Sequence, residues 1–209
     1  MQVKVIPVTP FEQNCSLLIC PETNKAAIVD PGGDIDKILS QIKKHGVEVE
    51  KIFLTHGHMD HVGGTEALAA VLKVSIEGPH IADKFWLDQL PMQGQMFGFP
   101  HVPPFEPQRW LEHGDTITFG NQQLTALHTP GHTPGHVVFN HVETKQVIVG
   151  DVLFSGSIGR TDFPQGCFNT LMTAIKGQLW TLPEETVFFP GHGPTSTIGH
   201  EKRTNPHVR

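Results

Sequence analysis

The stretch LTHGHMDHVGG, residues 54–64, places four chelating side chains, His56, His58, Asp60 and His61, within six positions and follows them with Gly63 and Gly64. EKIFLT before it is a β-branched and aromatic run that reads as a strand. TEALAAVL after it repeats Leu68, Val71 and Leu72 at helical spacing. The cluster therefore sits on a strand-to-helix connection, and the fold must present that connection where other segments can reach it. In an extended or turning segment His56, His58 and Asp60 can face one way while His61 enters from the turn. A divalent ion such as zinc takes imidazole nitrogens and carboxylate oxygens at roughly 2.0–2.2 Å. Four such ligands on so few residues divide more easily between two neighbouring ions than around one. A histidine-rich surface turn is the alternative, and each further match elsewhere in the chain weakens it.

The rest of the chain alternates in the same way. VKVIPV, NCSLLIC and KAAIVD read as strands, and DPGG ends the third. Asp34 is then a candidate N-cap for a helix whose Ile35, Ile38, Leu39 and Ile42 recur on one face, with Gly46 closing it. Residues 88–107 carry five prolines and predict an ordered, irregular loop that could serve as a lid. In the second half DTITFG, QQLTALH, HVVFNH and KQVIVGD read as strands, TLMTAIKGQLW as an amphipathic helix, and ETVFFPGHG as a strand ending in a loop. Two mixed sheets packed face to face, with helices outside, would bury these runs, which makes the fold class α/β. At 209 residues one large domain over 1–209 is the default and two small ones the alternative.

Three later stretches can complete a metal site. In HTPGHTPGH, residues 128–136, Pro130 and Gly131 forbid a regular helix and put His132 at the tip of a tight turn. His128 and His136 read instead as backing or core residues, because a ligating imidazole needs its other nitrogen held. VIVGDVLF ends an apolar strand at Gly150 and Asp151, where an unpaired buried carboxylate would be costly but one bridging two cations would be satisfied. FFPGHGP ends another such strand with His192 held between glycines.

Composition narrows the function classes. A formal charge of −6 argues against a nucleic-acid surface, so an anionic substrate must be met by local cations. The chain has no apolar run of membrane-spanning length. Its start, MQVKVIPVTP, lacks a basic segment followed by an apolar stretch, so no membrane association is expected and the cytoplasm is the expected location. Three cysteines, Cys15, Cys20 and Cys167, without a CxxC pair fit reduced thiols, with Cys15 and Cys20 expected to be buried.

Taken in order, HGHMDH, PGH at His132, GD at Asp151 and PGHG at His192 resemble the metallo-β-lactamase superfamily, and the resemblance runs from VDPGG to the last turn. It implies a four-layer αβ/βα sandwich of two mixed sheets with outer helices, and a metal site at one edge. By the same resemblance His56, His58 and His132 would bind one ion, Asp60, His61 and His192 another, and Asp151 would bridge them. Two divalent ions are implied, zinc first, with iron or manganese as alternatives. VIPVTPFEQNC, SGSIGRTDFPQG and PGHGPTSTIGHEKRTNP are similar to the compact glyoxalase II group, hydroxyacylglutathione hydrolases without a separate helical domain. That resemblance implies a small-molecule thioester substrate, S-D-lactoylglutathione, hydrolysed to D-lactate and glutathione, with Asp60 as the catalytic residue beside the attacking water. Arg160 would hold a glutathione carboxylate, or would pair with Asp162 and fix its loop. Lys202 and Arg203 are candidates for a second carboxylate. The rival is the iron-dependent persulfide dioxygenase of the same fold, which has a similar GRTDF and would use His56, His132 and Asp151. A β-lactam hydrolase and a non-enzymatic metal-binding protein rank lower.

Overall fold

The computed structural model describes residues 1–208. Strands β1 (Gln2–Val8), β2 (Gln13–Ile19), β3 (Lys25–Val29), β4 (Glu48–Phe53) and β5 (Ser75–Glu77) form one sheet in that order. The second sheet draws on β6 (Thr116–Phe119), β7 (Gln122–His128), β8 (Val137–His141), β9 (Gln146–Gly150), β12 (Val187–Pro190) and β13 (Ser196–Thr197). Its order is β13-β12-β9-β8-β7-β6, and β10 (Leu153–Phe154) with β11 (Ser157–Ile158) makes a separate hairpin. The helices are α1 (Ile35–His45), α2 (Met59–Val62), α3 (Thr65–Leu72), α4 (Lys84–Asp88), α5 (Leu90–Phe97), α6 (Phe168–Ala174) and α7 (Ile198–Thr204).

Period-two alternation explains the four layers, because successive side chains of a strand face opposite ways. In β2, Cys15, Leu17 and Ile19 join a core shared with Ile38 and Ile42 of α1 and Leu68 of α3. Leu18 of the same strand joins Ala27, Val29 and Phe53 against Phe119, Phe139 and Ile148 of the other sheet. Val138, Val147 and Val149 face outward from that second sheet onto Leu171 of α6 and Ile198 of α7. Both sheets are thus buried on both faces, which is why their central strands carry runs of apolar residues instead of a simple in-out pattern. Phe53 and Phe139 meet between the sheets with ring centroids 5.8 Å apart. Burial of each such side chain contributes roughly 1.5–3 kcal/mol.

Three local expectations differ from the structure. Asp34 precedes α1 but sits in the left-handed region at φ 48° and makes no side-chain cap. Its carboxylate instead accepts the Thr9 N–H at 2.9 Å, tying the β1–β2 turn to α1. The proline-rich 88–107 segment is helical over Leu90–Phe97, since Pro91 lies in the first turn, where its missing N–H costs nothing, and Gly98 closes the helix at φ 73°. The helix expected in TLMTAIKGQLW is α6 followed by a π turn, Ile175–Leu179. Cys15 and Cys20 are buried, as expected. Among the described residues no helix is long and apolar enough to cross a membrane.

The pairing of strands positions the site. β3 lies parallel to β4, and β9 lies parallel to β12. Each parallel pair ends at the same edge, so Asp30 and His56 leave the first sheet together, and Asp151 and His192 leave the second. β8 runs antiparallel to β9, so the β7–β8 loop with His132 returns to that edge too.

Candidate metal centre

The chain can turn this sharply at the edge because of two glycines. Gly150 adopts φ +48°, and a Cβ there would lie 2.6 Å from Thr55 Oγ1 and 2.7 Å from His136 Nε2. A Cβ on Gly191 would lie 2.2 Å from Asp151 Oδ1 and 2.5 Å from His61 Cε1. Glycine at both positions lets the two strand ends close on the imidazoles.

All seven expected ligands converge. His56, His58 and His132 each present a nitrogen, and these atoms lie within 4.8 Å of one another; ligand atoms of Asp60, His61 and His192 do the same. His56 Nε2 is 3.2 Å and His132 Nε2 3.0 Å from His58 Nδ1. Asp151 stands between the two groups, with Oδ1 3.4 Å from His61 Nε2 and Oδ2 3.7 Å from His132 Nε2 and 3.8 Å from His192 Nε2. Asp60 Oδ2 is 3.1 Å from His192 Nε2.

Four of the outward nitrogens are held, while His58 Nε2 is buried without a partner. His61 Nδ1 donates to Asp30 Oδ2 at 3.0 Å, His132 Nδ1 to the Arg160 carbonyl at 2.8 Å, and His192 Nδ1 to the Phe11 carbonyl at 3.2 Å. His56 Nδ1 meets Thr55 Oγ1 at 3.0 Å, and that hydroxyl donates to Asp30 Oδ2 at 2.6 Å. Such partners set the tautomer and turn a lone pair inward on His56 and His132. In the first group two lone pairs then face one His58 nitrogen, which can donate only one proton. His61 Nε2 and Asp151 Oδ1 are buried with no hydrogen-bond partner. Inward lone pairs and orphaned anionic oxygen are what a divalent cation satisfies, so these residues fit the implied metal. Asp30, His56 and His61 also cluster closely. The Asp30 carboxylate, however, already accepts from Thr55 N, Thr55 Oγ1 and His61 Nδ1, so it holds ligands in place.

The two groups titrate in opposite directions. Burial, then neighbouring imidazoles, depresses His56 and His58 well below the ordinary imidazole range, and burial lowers His132. Burial pulls His61 down, but the carboxylates of Asp151 and Asp60 outweigh it and hold it well above that range. Burial pushes Asp151 up, yet His61, His132 and His192 keep it far below the usual carboxylate range. Asp151 is thus an anion across the physiological range.

His136 is buried and stacks on His56 at 4.8 Å, and its Nε2 accepts the Asp151 N–H at 3.1 Å. His128 stacks on His80 at 4.2 Å, away from the ligands. His136 thus backs His56 and Asp151, whereas His128 stands apart from them. Arg160 lines the cavity above the ligands, pairs with Asp162 through two bonds of 2.7 and 2.6 Å, and lies 4.0 Å over the Phe163 ring. Lys202 and Arg203 do not line that cavity; they bond the Trp180 carbonyl and Glu184. Glu201 of the same helix and Asn205 at its C-cap reach it indirectly. Buried Glu201 accepts the Gly156 N–H at 2.8 Å, and Asn205 donates to the Ser157 carbonyl at 2.9 Å, fixing the β10–β11 hairpin as a cavity wall.

Sequence reasoning missed two buried aspartates. Asp30 ends the apolar strand AAIVD, the same signal that singled out Asp151 in VIVGD. Asp83 carries no such signal. Its carboxylate accepts Gly57 N at 2.8 Å, Thr133 Oγ1 at 2.8 Å and Gly135 N at 2.6 Å, tying the HGH loop to the HTPGH loop. Burial pushes its carboxyl up to about 6 against those three donors. Asp83→Ala would orphan three buried donors and is expected to cost on the order of 3 kcal/mol. Calorimetry of the variant should show a Tm about 6–12 °C lower for a chain of this size; an unchanged Tm would remove Asp83 from this role.

The sequence pattern of the metallo-beta-lactamase superfamily matches residues 8–192. The hydroxyacylglutathione hydrolase GloC of Haemophilus influenzae is 44% identical over 207 residues, covering 99% of this chain and 97% of that one. Among solved structures, the BLEG-1 B3 metallo-beta-lactamase superposes with a TM-score of 0.92 at 32% identity, over 99% of both chains. TTHA1623, crystallised in a di-iron-bound form, superposes at 0.89 with 37% identity, over 98% of this chain and 99% of that one. The sandwich, the edge at which its histidines and aspartates meet, and a match across most of the sequence agree: the protein belongs to the metallo-beta-lactamase superfamily.

Proposed function

We propose that this protein is a metal-dependent thioester hydrolase that cleaves S-(2-hydroxyacyl)glutathione, with S-D-lactoylglutathione as the reference substrate in methylglyoxal detoxification. The observation that carries the reading is the pair of ligand groups, with Asp151 between them, on the floor of a cavity of about 590 Å³. The identity to GloC of Haemophilus influenzae supports the same substrate class. In this reading His56, His58 and His132 hold one divalent ion, Asp60, His61 and His192 hold a second, and Asp151 serves both. When bound, such ions supply Lewis acidity and draw hydroxide from water near neutral pH.

The chain's own residues do the rest. Asp60, ionised and with Oδ2 facing His192 and His61, takes the proton of the attacking water at its other carboxylate oxygen. A C–O bond forms at the thioester carbonyl and the C–S bond breaks, giving D-lactate and the glutathione thiolate, a good leaving group. Arg160 binds a glutathione carboxylate, exchanging part of its pairing with the exposed Asp162. Trp86 and Phe163 beside His58 exclude water from that end of the cavity.

The test is direct. Protein loaded separately with zinc, manganese or iron is assayed for hydrolysis of S-D-lactoylglutathione, for oxygen uptake with glutathione persulfide, and for cleavage of a chromogenic β-lactam. The expected result is thioester hydrolysis with kcat/KM of about 10⁴ M⁻¹s⁻¹ or more. Oxygen uptake or β-lactam cleavage without thioesterase activity would replace the reading. Arg160→Ala is expected to raise KM about tenfold with kcat little changed, the signature of lost uniform binding. An unchanged KM would leave Arg160 to its loop.

A further inference from the structure

The two sides of the cavity differ in chemistry. Over His58 stand Trp86 at 4.5 Å and Phe163 at 5.1 Å between ring centroids, with the Arg160 guanidinium on the Phe163 ring. This side has a charge to offer. Among the described residues lining the cavity, Arg160 is the one lysine or arginine. The other side lies by His192, whose Nδ1 bonds the Phe11 carbonyl. There Phe11 meets Phe97 and Phe99 edge-on, at 6.1 and 5.2 Å. Phe11 is 45% and Phe97 41% exposed although they line a cavity. Clustered aromatic rings left open at the mouth of a cavity are surface that an apolar ligand group covers.

We propose that Phe11, Phe97 and Phe99 form an acyl-arm subsite, and that the thioesters best turned over carry an aryl or bulky alkyl group on the acyl side. This rests on the thioester-hydrolase reading above and deepens it. The reacting carbonyl sits over the ligands, so the arms of a thioester diverge to the two sides. The carboxylate-bearing thiol arm takes the side with Arg160, and the acyl arm takes the side of Phe11, Phe97 and Phe99, which offers no lysine or arginine. The single methyl of a lactoyl group covers little of that surface. A phenyl ring in its place stacks edge-on against Phe11 and Phe99 in the geometry those rings already adopt with each other.

S-mandeloylglutathione and S-D-lactoylglutathione differ by phenyl against methyl and make the test. With the metal-loaded full chain, kcat/KM for the mandeloyl thioester is expected to be at least about tenfold higher, as burying an apolar substituent in a fitted pocket gives. Calorimetry with two non-hydrolysable thioethers, S-phenethylglutathione and S-ethylglutathione, should show a similar preference for the phenethyl compound. In Phe97→Ala and Phe11→Ala, both at exposed positions, both preferences should collapse toward unity. Equal or better use of the lactoyl thioester by the parent protein, or a preference that survives both substitutions, would overturn the subsite. If neither thioester is cleaved while the phenethyl thioether still binds tighter in a Phe97-dependent way, the subsite stands and the hydrolase reading falls.

Discussion

Asp60→Ala is expected to lower kcat/KM for S-D-lactoylglutathione on the order of 10³-fold, within the range that a positioned acid or base contributes. The fold should survive. The Asp60 side chain is 17% exposed, and it faces His61 and His192 instead of entering any of the three apolar clusters. Burial pushes its carboxyl up, but His61 and His192 hold it below the ordinary value, so it is an anion. Steady-state kinetics, metal content by atomic spectroscopy and near-ultraviolet circular dichroism check the three parts of this result. Asp60→Asn separates the roles: an amide oxygen keeps a weak ligand in place but cannot take the proton. An alanine variant with near-parental turnover would strip Asp60 of its role.

Chelation is expected to abolish turnover and to lower Tm by about 5–11 °C per ion. Binding at 100 times Kd stabilises by about 2.7 kcal/mol, and each kcal/mol moves Tm by about 2–4 °C at this size. Acid should act in the same direction. His56, His58, His132 and His136 are kept neutral in the fold by burial, first of all, while the unfolded chain protonates them below about pH 6.5. The unfolded state then binds more protons, so the stability present above that pH is lost as pH falls below it. His61 and His192 are raised, so their contribution is full below about 6.5 and fades as pH rises through their folded values. In the loaded protein every histidine ligand must shed its proton to bind, so all of them oppose acid. Metal content and melting curves between about pH 7.5 and 5 report this. Full metal retention at the acid end would contradict histidine ligation.

Much of this was legible before the structure. The candidate ligands stand out because each ends an apolar strand or sits between turn-forming residues, and both are local signals. The two-sheet core was legible for the same reason: runs such as LLIC and VIVG suit strands buried on both faces. What escaped depends on three-dimensional neighbours. Asp83 lies in HIADKFW, and only the folded chain brings Gly57, Thr133 and Gly135 to its carboxylate. Lys202 and Arg203 looked like partners for a substrate carboxylate, but the orientation of α7 turns them toward Trp180 and Glu184 and gives its cavity side to Glu201 and Asn205. The proline count over 88–107 suggested a loop because proline breaks a helix interior; at the first turn of α5 it does not.

The proposed ligands are shared between the sheets. His56, His58, Asp60 and His61 follow β4, whereas His132, Asp151 and His192 leave the second sheet, and each proposed ion takes ligands from both. The Phe53–Phe139 contact between the layers therefore belongs to the same mechanical unit as the site. A slip of one sheet over the other by a fraction of an ångström would misalign both groups of residues that would hold the ions, while leaving the apolar core dry. Turnover by the proposed hydrolase would be a vernier for the alignment of its two halves, and it should record a shear that a melting curve does not see.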